Sequence, residues 1–242
     1  MAKGGQAVGL RALCALAFLG PAVALAEQGA KITSAAYEGP TRAYDHGILG
    51  DAIEWTQLAL GLSDGSKRRI RLPQNHVFED TAPRLVDVDG DGAPEVITVE
   101  TRFDLGARLA IYDENGFVAA APFIGRTHRW LAPVGAADLD GDGAVEIAYI
   151  DRPHLAKTLR IWRYEAGALE LVAEAGGVTN HRIGDADIAG GLRDCGAGIE
   201  MVTLNADWSR IMISTLSDGR IARRDAGAMT GAPAMEAAFG CR

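Results

Sequence analysis

The chain has 242 residues, 24 basic against 32 acidic, and a formal net charge of −8 at pH 7. That balance argues against nucleic acid or an anionic membrane surface as a partner. Thirty glycines, 6% aromatics and no long amphipathic stretch argue against a helical bundle and for short strands joined by tight turns.

Residues 1–26 read as a signal peptide. Lys3 and Arg11 are its only charges, Leu13 to Leu25 is apolar, and Ala24-Leu25-Ala26 is a small-x-small cleavage site before Glu27. The run is too short for a membrane anchor and stops at that site. Cys14 does not suit lipidation, because Leu13 before it is large and the apolar run follows it. Cleavage removes two basic residues and no acidic ones, which takes the net charge from −8 to −10. No later segment is long and apolar enough to cross a bilayer. The mature chain, residues 27–242, is therefore expected as one periplasmic or secreted domain with no membrane insertion after cleavage.

Two acidic stretches stand out along it. Asp87-Val88-Asp89-Gly90-Asp91-Gly92-Ala93-Pro94-Glu95 returns as Asp138-Leu139-Asp140-Gly141-Asp142-Gly143-Ala144-Val145-Glu146, 51 residues later. Asp at positions 1, 3 and 5, Gly at 6 and Glu at 9 is the layout of a loop that wraps a hard cation. The carbonyl at position 7 can add another oxygen. Carboxylates this dense repel one another without an ion. An EF-hand is excluded, because position 12 is Thr98 in one loop and Tyr149 in the other. The flanks are extended: Pro83 to Val86 and Val96 to Val99 around the first loop, Val134 to Ala137 and Ile147 to Ile150 around the second. Each loop therefore joins two strands.

A glutamate followed by an apolar strand recurs at Glu54, Glu95, Glu146 and Glu200, with spacings of 41, 51 and 54 residues. After each comes a hairpin, with turns at Ser63-Asp64-Gly65, Glu114-Asn115-Gly116, Glu165-Ala166-Gly167 and Ser217-Asp218-Gly219. Units of about four short strands have the size of propeller blades, and such sheets bury their faces only by stacking. The expected fold is all-β, a small β-propeller of about four four-stranded blades with calcium loops between strands. The repeats fall at about 40–80, 81–126, 130–177 and 181–225. Segments 31–43 and 226–242 lie outside them, and one of the two is expected to supply a closing strand. Cys195 and Cys241 remain after cleavage and are expected to pair in an oxidising compartment, latching that closure.

The Asp-x-Asp-Gly-Asp-Gly-x-x-Glu loops between strands resemble FG-GAP or VCBS-type repeats, as in the calcium-binding blades of the integrin α-chain propeller. The resemblance covers most of residues 40–225. It implies calcium held by Asp87, Asp89, Asp91, the Ala93 carbonyl and Glu95, and again by Asp138, Asp140, Asp142, the Ala144 carbonyl and Glu146. The outer units depart from the pattern. Asp185 and Asp187 stand 15 and 13 residues before Glu200, where the matching loops have 8 and 6. Arg193 also stands where a ligand would be, and a disulfide at Cys195 is expected to staple that loop instead of an ion. Tyr44 to Asp51 in the first unit lacks alternating carboxylates.

Of five histidines, His76, His128 and His181 recur shortly before successive loops. They read either as a His and Arg rim for an anionic ligand or as a repeated structural position, and the second reading is adopted. Trp55, Trp130, Trp162 and Trp208 read as packing residues. No zinc-protease helix motif, nucleophile elbow or phosphate loop occurs. The function expected is a non-catalytic, calcium-binding interaction module with a protein or glycan ligand. The alternative is a small exported carbohydrate-active hydrolase or lyase with structural calcium.

Overall fold

The computed structural model describes residues 1, 2, 4, 5 and 29–241. Apart from its first few residues, the signal-peptide reading of 1–26 lies outside the described residues. From Ile32 the chain alternates β-branched runs with glycine turns and folds almost entirely as strands. β1 (Ile32–Thr41), β2 (Glu54–Leu62) and β3 (Lys67–Arg71) come first, and β2 pairs antiparallel with both of its neighbours. The β2–β3 hairpin turns at Asp64-Gly65, where Gly65 takes φ 82° and the Asp64 carboxylate accepts the Ser66 N–H at 2.8 Å.

A four-position pattern then repeats three times. β4 (His76–Phe78) and β5 (Arg84–Val86) are two pieces of one interrupted strand, both paired with β6 (Glu95–Arg102). β7 (Gly106–Tyr112) and β8 (Phe117–Ala120) complete that meander. β9 (Leu131–Ala137), β10 (Glu146–Asp151), β11 (Thr158–Glu165) and β12 (Ala168–Gly176) form the next. β13 (Val178–Thr179) and β14 (Gly191–Asp194) are again pieces of one first strand, followed by β15 (Ile199–Asn205), β16 (Arg210–Ser217) and β17 (Arg220–Ala228). One helix, α1 (Ala232–Phe239), comes last.

The fold is thus all-β with one short helix. Hydrogen bonding gathers the strands into three sheets, because the Trp55–Phe78 pairing joins β2 to β4 and fuses the first strands with the next meander. Segment 31–43, expected to lie outside the repeats, is β1 and pairs with β2 from Ile32 to Thr41. Segment 226–242 carries the end of β17 and then α1. Among the described residues neither segment pairs the first strands with the last sheet, so the ring-closing strand expected from the sequence is not formed.

The period-2 alternation of strand side chains sorts the cores. In β6, Val96 enters a cluster with Leu58, Leu60 and Phe78, while Ile97 and Val99 enter another with Leu109, Trp130 and Leu131. In β10, Ile147 and Tyr149 join that second cluster, while Ala148 and Ile150 join a third with Leu159, Ile161 and Met201. The strand that follows each loop therefore buries both faces.

Among the described residues, α1 covers one face of the last sheet. Ala234, Met235, Ala238 and Phe239 pack on Val202, Leu204, Ile211 and Ile213. Pro233 lies in the first turn of the helix, where a missing N–H breaks no intrahelical bond. The Arg193 guanidinium donates to the Ala238 carbonyl, and a disulfide joins Cys195 to Cys241 with Cα atoms 5.7 Å apart. The bond fixes the helix to the last sheet, and does not latch a closing strand.

The disulfide spans 46 residues of sequence, so on the chain-entropy model it contributes roughly 4 kcal/mol. Replacing both cysteines by serine is expected to lower the melting temperature by about 10 °C. Amide exchange should then be fastest in α1. Unchanged protection there would show that packing alone holds the helix.

Candidate metal centre

The two acidic loops fold alike, each from its own residues. The first joins β5 to β6 and the second joins β9 to β10. At position 1, Asp87 accepts the N–H groups of Gly90 and Gly92, both at 2.8 Å. Asp138 accepts those of Gly141 and Gly143, at 2.7 and 2.9 Å. At position 5, Asp91 and Asp142 each accept the N–H two residues on, at 2.7 and 2.9 Å. The glycines at positions 4 and 6 all take positive φ, between 76° and 93°, which lets the chain curl around its own carboxylates. The closing glutamate reaches back across each loop: Glu95 accepts the Val88 N–H and Glu146 the Leu139 N–H, both at 2.9 Å.

This curl brings Asp87, Asp89 and Glu95 together, with one carboxylate oxygen of each within 4.8 Å of the others. Asp138, Asp140 and Glu146 form the matching triad. Asp91 and Ala93 line the same 220 Å³ cavity as Asp89 and Glu95. The donors are hard oxygens only, which suits calcium or magnesium rather than a softer ion. In the second triad Asp140 Oδ1 is buried and has no hydrogen-bond partner among the described residues. The all-oxygen donor sets agree with the metal the loop pattern implies.

The electrostatics of the two loops differ. Burial raises the Glu95 carboxyl to about 7, opposed by its Val88 hydrogen bond and reinforced by Asp89, Asp91 and Asp87. Burial also raises Glu146, but there Arg163 counteracts the shift. Arg163 donates to Glu146 at 2.6 Å and to Asp140 at 3.1 Å, and its remaining nitrogen lies 2.8 Å from Asp142. Sequence reasoning missed this arginine. The signal was the hairpin register, which sets Arg163 directly across from Glu146.

The outer units hold the same glutamate in other ways. Glu200 accepts from Arg193 at 2.7 Å and from Arg224 at 2.9 Å. Burial alone would raise its carboxyl, but the hydrogen bonds from Arg224 and Arg193 outweigh it and hold the group below the ordinary carboxylate range. Asp185 and Asp187 belong to no carboxylate triad among the described residues. In the first unit Glu54 is 3% exposed. Burial, with Glu79, Asp51 and Asp80 nearby, pushes its carboxyl up to about 9. Glu79 and Asp80 have partners of their own: Thr101 and His46 for Glu79, and Arg84, Tyr37 and the Val99 N–H for Asp80.

The histidines group differently from their spacing. His128 stacks on His46 with ring centroids 5.1 Å apart, and His154 lies 3.1 Å from His181, nitrogen to nitrogen. His46, His128 and His154 line a 30 Å³ cavity with Arg129 and Arg152, room for about one water. Burial, then the neighbouring His181, lowers His154 to about 4. Arg152 pairs with Asp151 at 2.8 Å. His76 lies apart, 3.6 Å from Glu100 and against Phe123. Trp130 and Trp162 are buried, and the Arg182 guanidinium sits 4.2 Å over Trp208.

Glu54 makes stability depend on pH. Its folded pKa, about 9, lies above the ordinary 4.5, so folding takes up a proton between those values. The stability linked to this group is therefore complete below about pH 4.5 and is lost as pH rises toward 9. Glu54→Gln is expected to match the wild-type melting temperature in mild acid and exceed it in mild alkali. Parallel curves for the two proteins across that range would contradict the assignment.

Residues 87–149, which contain both loops and β6 to β9, match the family model of the FG-GAP-like repeat. No curated protein matches the chain. The match places both congruent loops within one FG-GAP-like repeat segment.

Proposed function

We propose that the protein is an exported, calcium-stabilised, non-catalytic binding module of the β-propeller type, with a protein or glycan as ligand. The observation that carries the calcium reading is the closure of the first repeat loop around the carboxylate triad Asp87, Asp89 and Glu95. Asp91 and the Ala93 carbonyl complete that ligand set. Calcium in this role is structural: it offsets the repulsion among loop carboxylates and ties the end of one strand to the start of the next.

Export to the periplasm or beyond rests on the apolar N-terminal stretch and on the disulfide, a bond of oxidising compartments. No helix among the described residues is long and apolar enough to cross a membrane. The propeller reading rests on the three repeated meanders and on cores that lie between successive sheets. The first three strands then stand as a reduced fourth blade.

Extracellular calcium modules bind at roughly 10⁻⁴–10⁻³ M. At about 10 mM calcium such a site adds about 1.4–2.7 kcal/mol to stability. For a chain of this size that raises the melting temperature by about 3–10 °C over a chelator control. Magnesium should give a smaller rise, and Asp89→Ala should remove most of the calcium effect. An identical melting temperature in calcium and chelator would contradict the calcium reading.

A further inference from the structure

The two loops carry the same acidic residues at the same positions, yet their surroundings have opposite charge. The difference comes from one ladder position on the neighbouring strand. In the second repeat Ile147 pairs with Trp162 and Glu146 with Arg163. In the first, Val96 pairs with Tyr112, so the next position, across from Glu95, is Asp113. The aromatic residue is kept and the charge beside it is reversed.

Arg163 is directed at its loop, while Asp113 lines the first loop's cavity with its carboxylate accepting the Asn115 and Gly116 N–H groups of its own turn, at 2.6 and 2.8 Å. Arg163 bridges Glu146, Asp140 and Asp142, three of the four loop carboxylates, at 2.6, 3.1 and 2.8 Å. A guanidinium with several charge-assisted hydrogen bonds already does what a bound cation would do, which is to hold mutually repelling carboxylates together. Asp140 keeps one buried oxygen without a partner. The loop's seven other carboxylate oxygens are engaged by Arg163 or by loop N–H groups. In the first loop Asp113 and Glu114 line the cavity with Asp89, Asp91 and Glu95. The one basic side chain there, Lys31, donates at 2.8 Å to the Gly92 carbonyl rather than to a carboxylate. Across from Glu95 the first loop therefore meets a carboxylate, where the second meets a guanidinium across from Glu146.

We infer that Arg163 is the built-in counter-cation of the second loop and that Asp113 is an additional acidic group of the first. The protein then takes up one calcium ion, in the first loop, although its acidic motifs offer two. The inference rests on the calcium reading above and concerns how that ion is distributed. The second loop stays closed whatever the calcium level, while the first responds to it.

Calcium uptake by the purified full-length protein, measured by isothermal titration calorimetry, tests this. Wild type should bind one equivalent. Asp89→Ala should abolish that uptake and Asp140→Ala should leave it. Arg163→Gln should add a second equivalent. Asp113→Arg, which copies the second loop's arrangement into the first, should weaken the wild-type site by about tenfold or more, as affinity in such loops follows ligand charge. Circular dichroism in each case reports whether the variant is folded, and the wild-type and Asp140→Ala results stand even if Arg163→Gln does not fold. Two equal sites in wild type would overturn the inference while leaving the calcium reading intact. So would a wild-type site lost with Asp140→Ala, or a folded Arg163→Gln with one site. No uptake by wild type or by any folded variant would overturn the calcium reading itself.

Discussion

A carboxylate opens the strand behind each loop, and it must be neutralised where the sheet begins. Glu54, Glu95 and Glu146 are buried, and Glu200 is nearly so. Leaving such a charge unpaired costs several kcal/mol, comparable to the net stability of a whole domain. The four units meet this constraint in four ways. Glu54 is held toward its protonated form among other acids. Glu95 stands in an acidic loop open to a cation. Glu146 is bridged by one arginine, and Glu200 by two. The repeats have kept the glutamate and varied its partner.

The position of that glutamate also sets the packing. It is the first residue of the strand that buries both faces, so fixing it fixes the register of the strand and which side chains enter which core. Val96 and Ile97 go to different cores because they follow Glu95 by one and two residues, and Ile147 and Ala148 do the same after Glu146. A one-residue slip would exchange the two sets. Curling the loop back through the Val88 and Leu139 N–H bonds prevents the slip. α1, tied by its disulfide, covers one face of the last sheet.

Local features of this fold were legible in the sequence, and relations between distant strands were not. Asp-Gly and Asn-Gly pairs mark hairpins because those residues tolerate the positive φ that tight turns require, and the alternating Asp residues mark loops through their spacing. The fusion of β2 to β4 through Trp55 and Phe78 depends on how neighbouring sheets meet, which no local pattern encodes. The role of segment 31–43 was misplaced for the same reason: a strand's partner is a long-range choice. Arg163 and Asp113 were readable in principle by counting across the hairpin from its turn. They were missed because the loop motif directs attention to residues within the loop. The histidine spacing did not reveal their partners: His128 stacks on His46, His181 lies beside His154, and His76 lies beside Glu100.

The central claim is that a cation, guanidinium or metal, fills the place beside Glu95 and Glu146. A crystal structure of the protein grown in millimolar calcium tests it most directly. The account predicts an ion in the first loop bound by Asp87, Asp89, Asp91 and Glu95, with the Arg163 guanidinium still seated among Asp140, Asp142 and Glu146 in the second. Glu95 lying unpaired with no ion beside it, or Arg163 turned out to solvent with its loop empty, would contradict it.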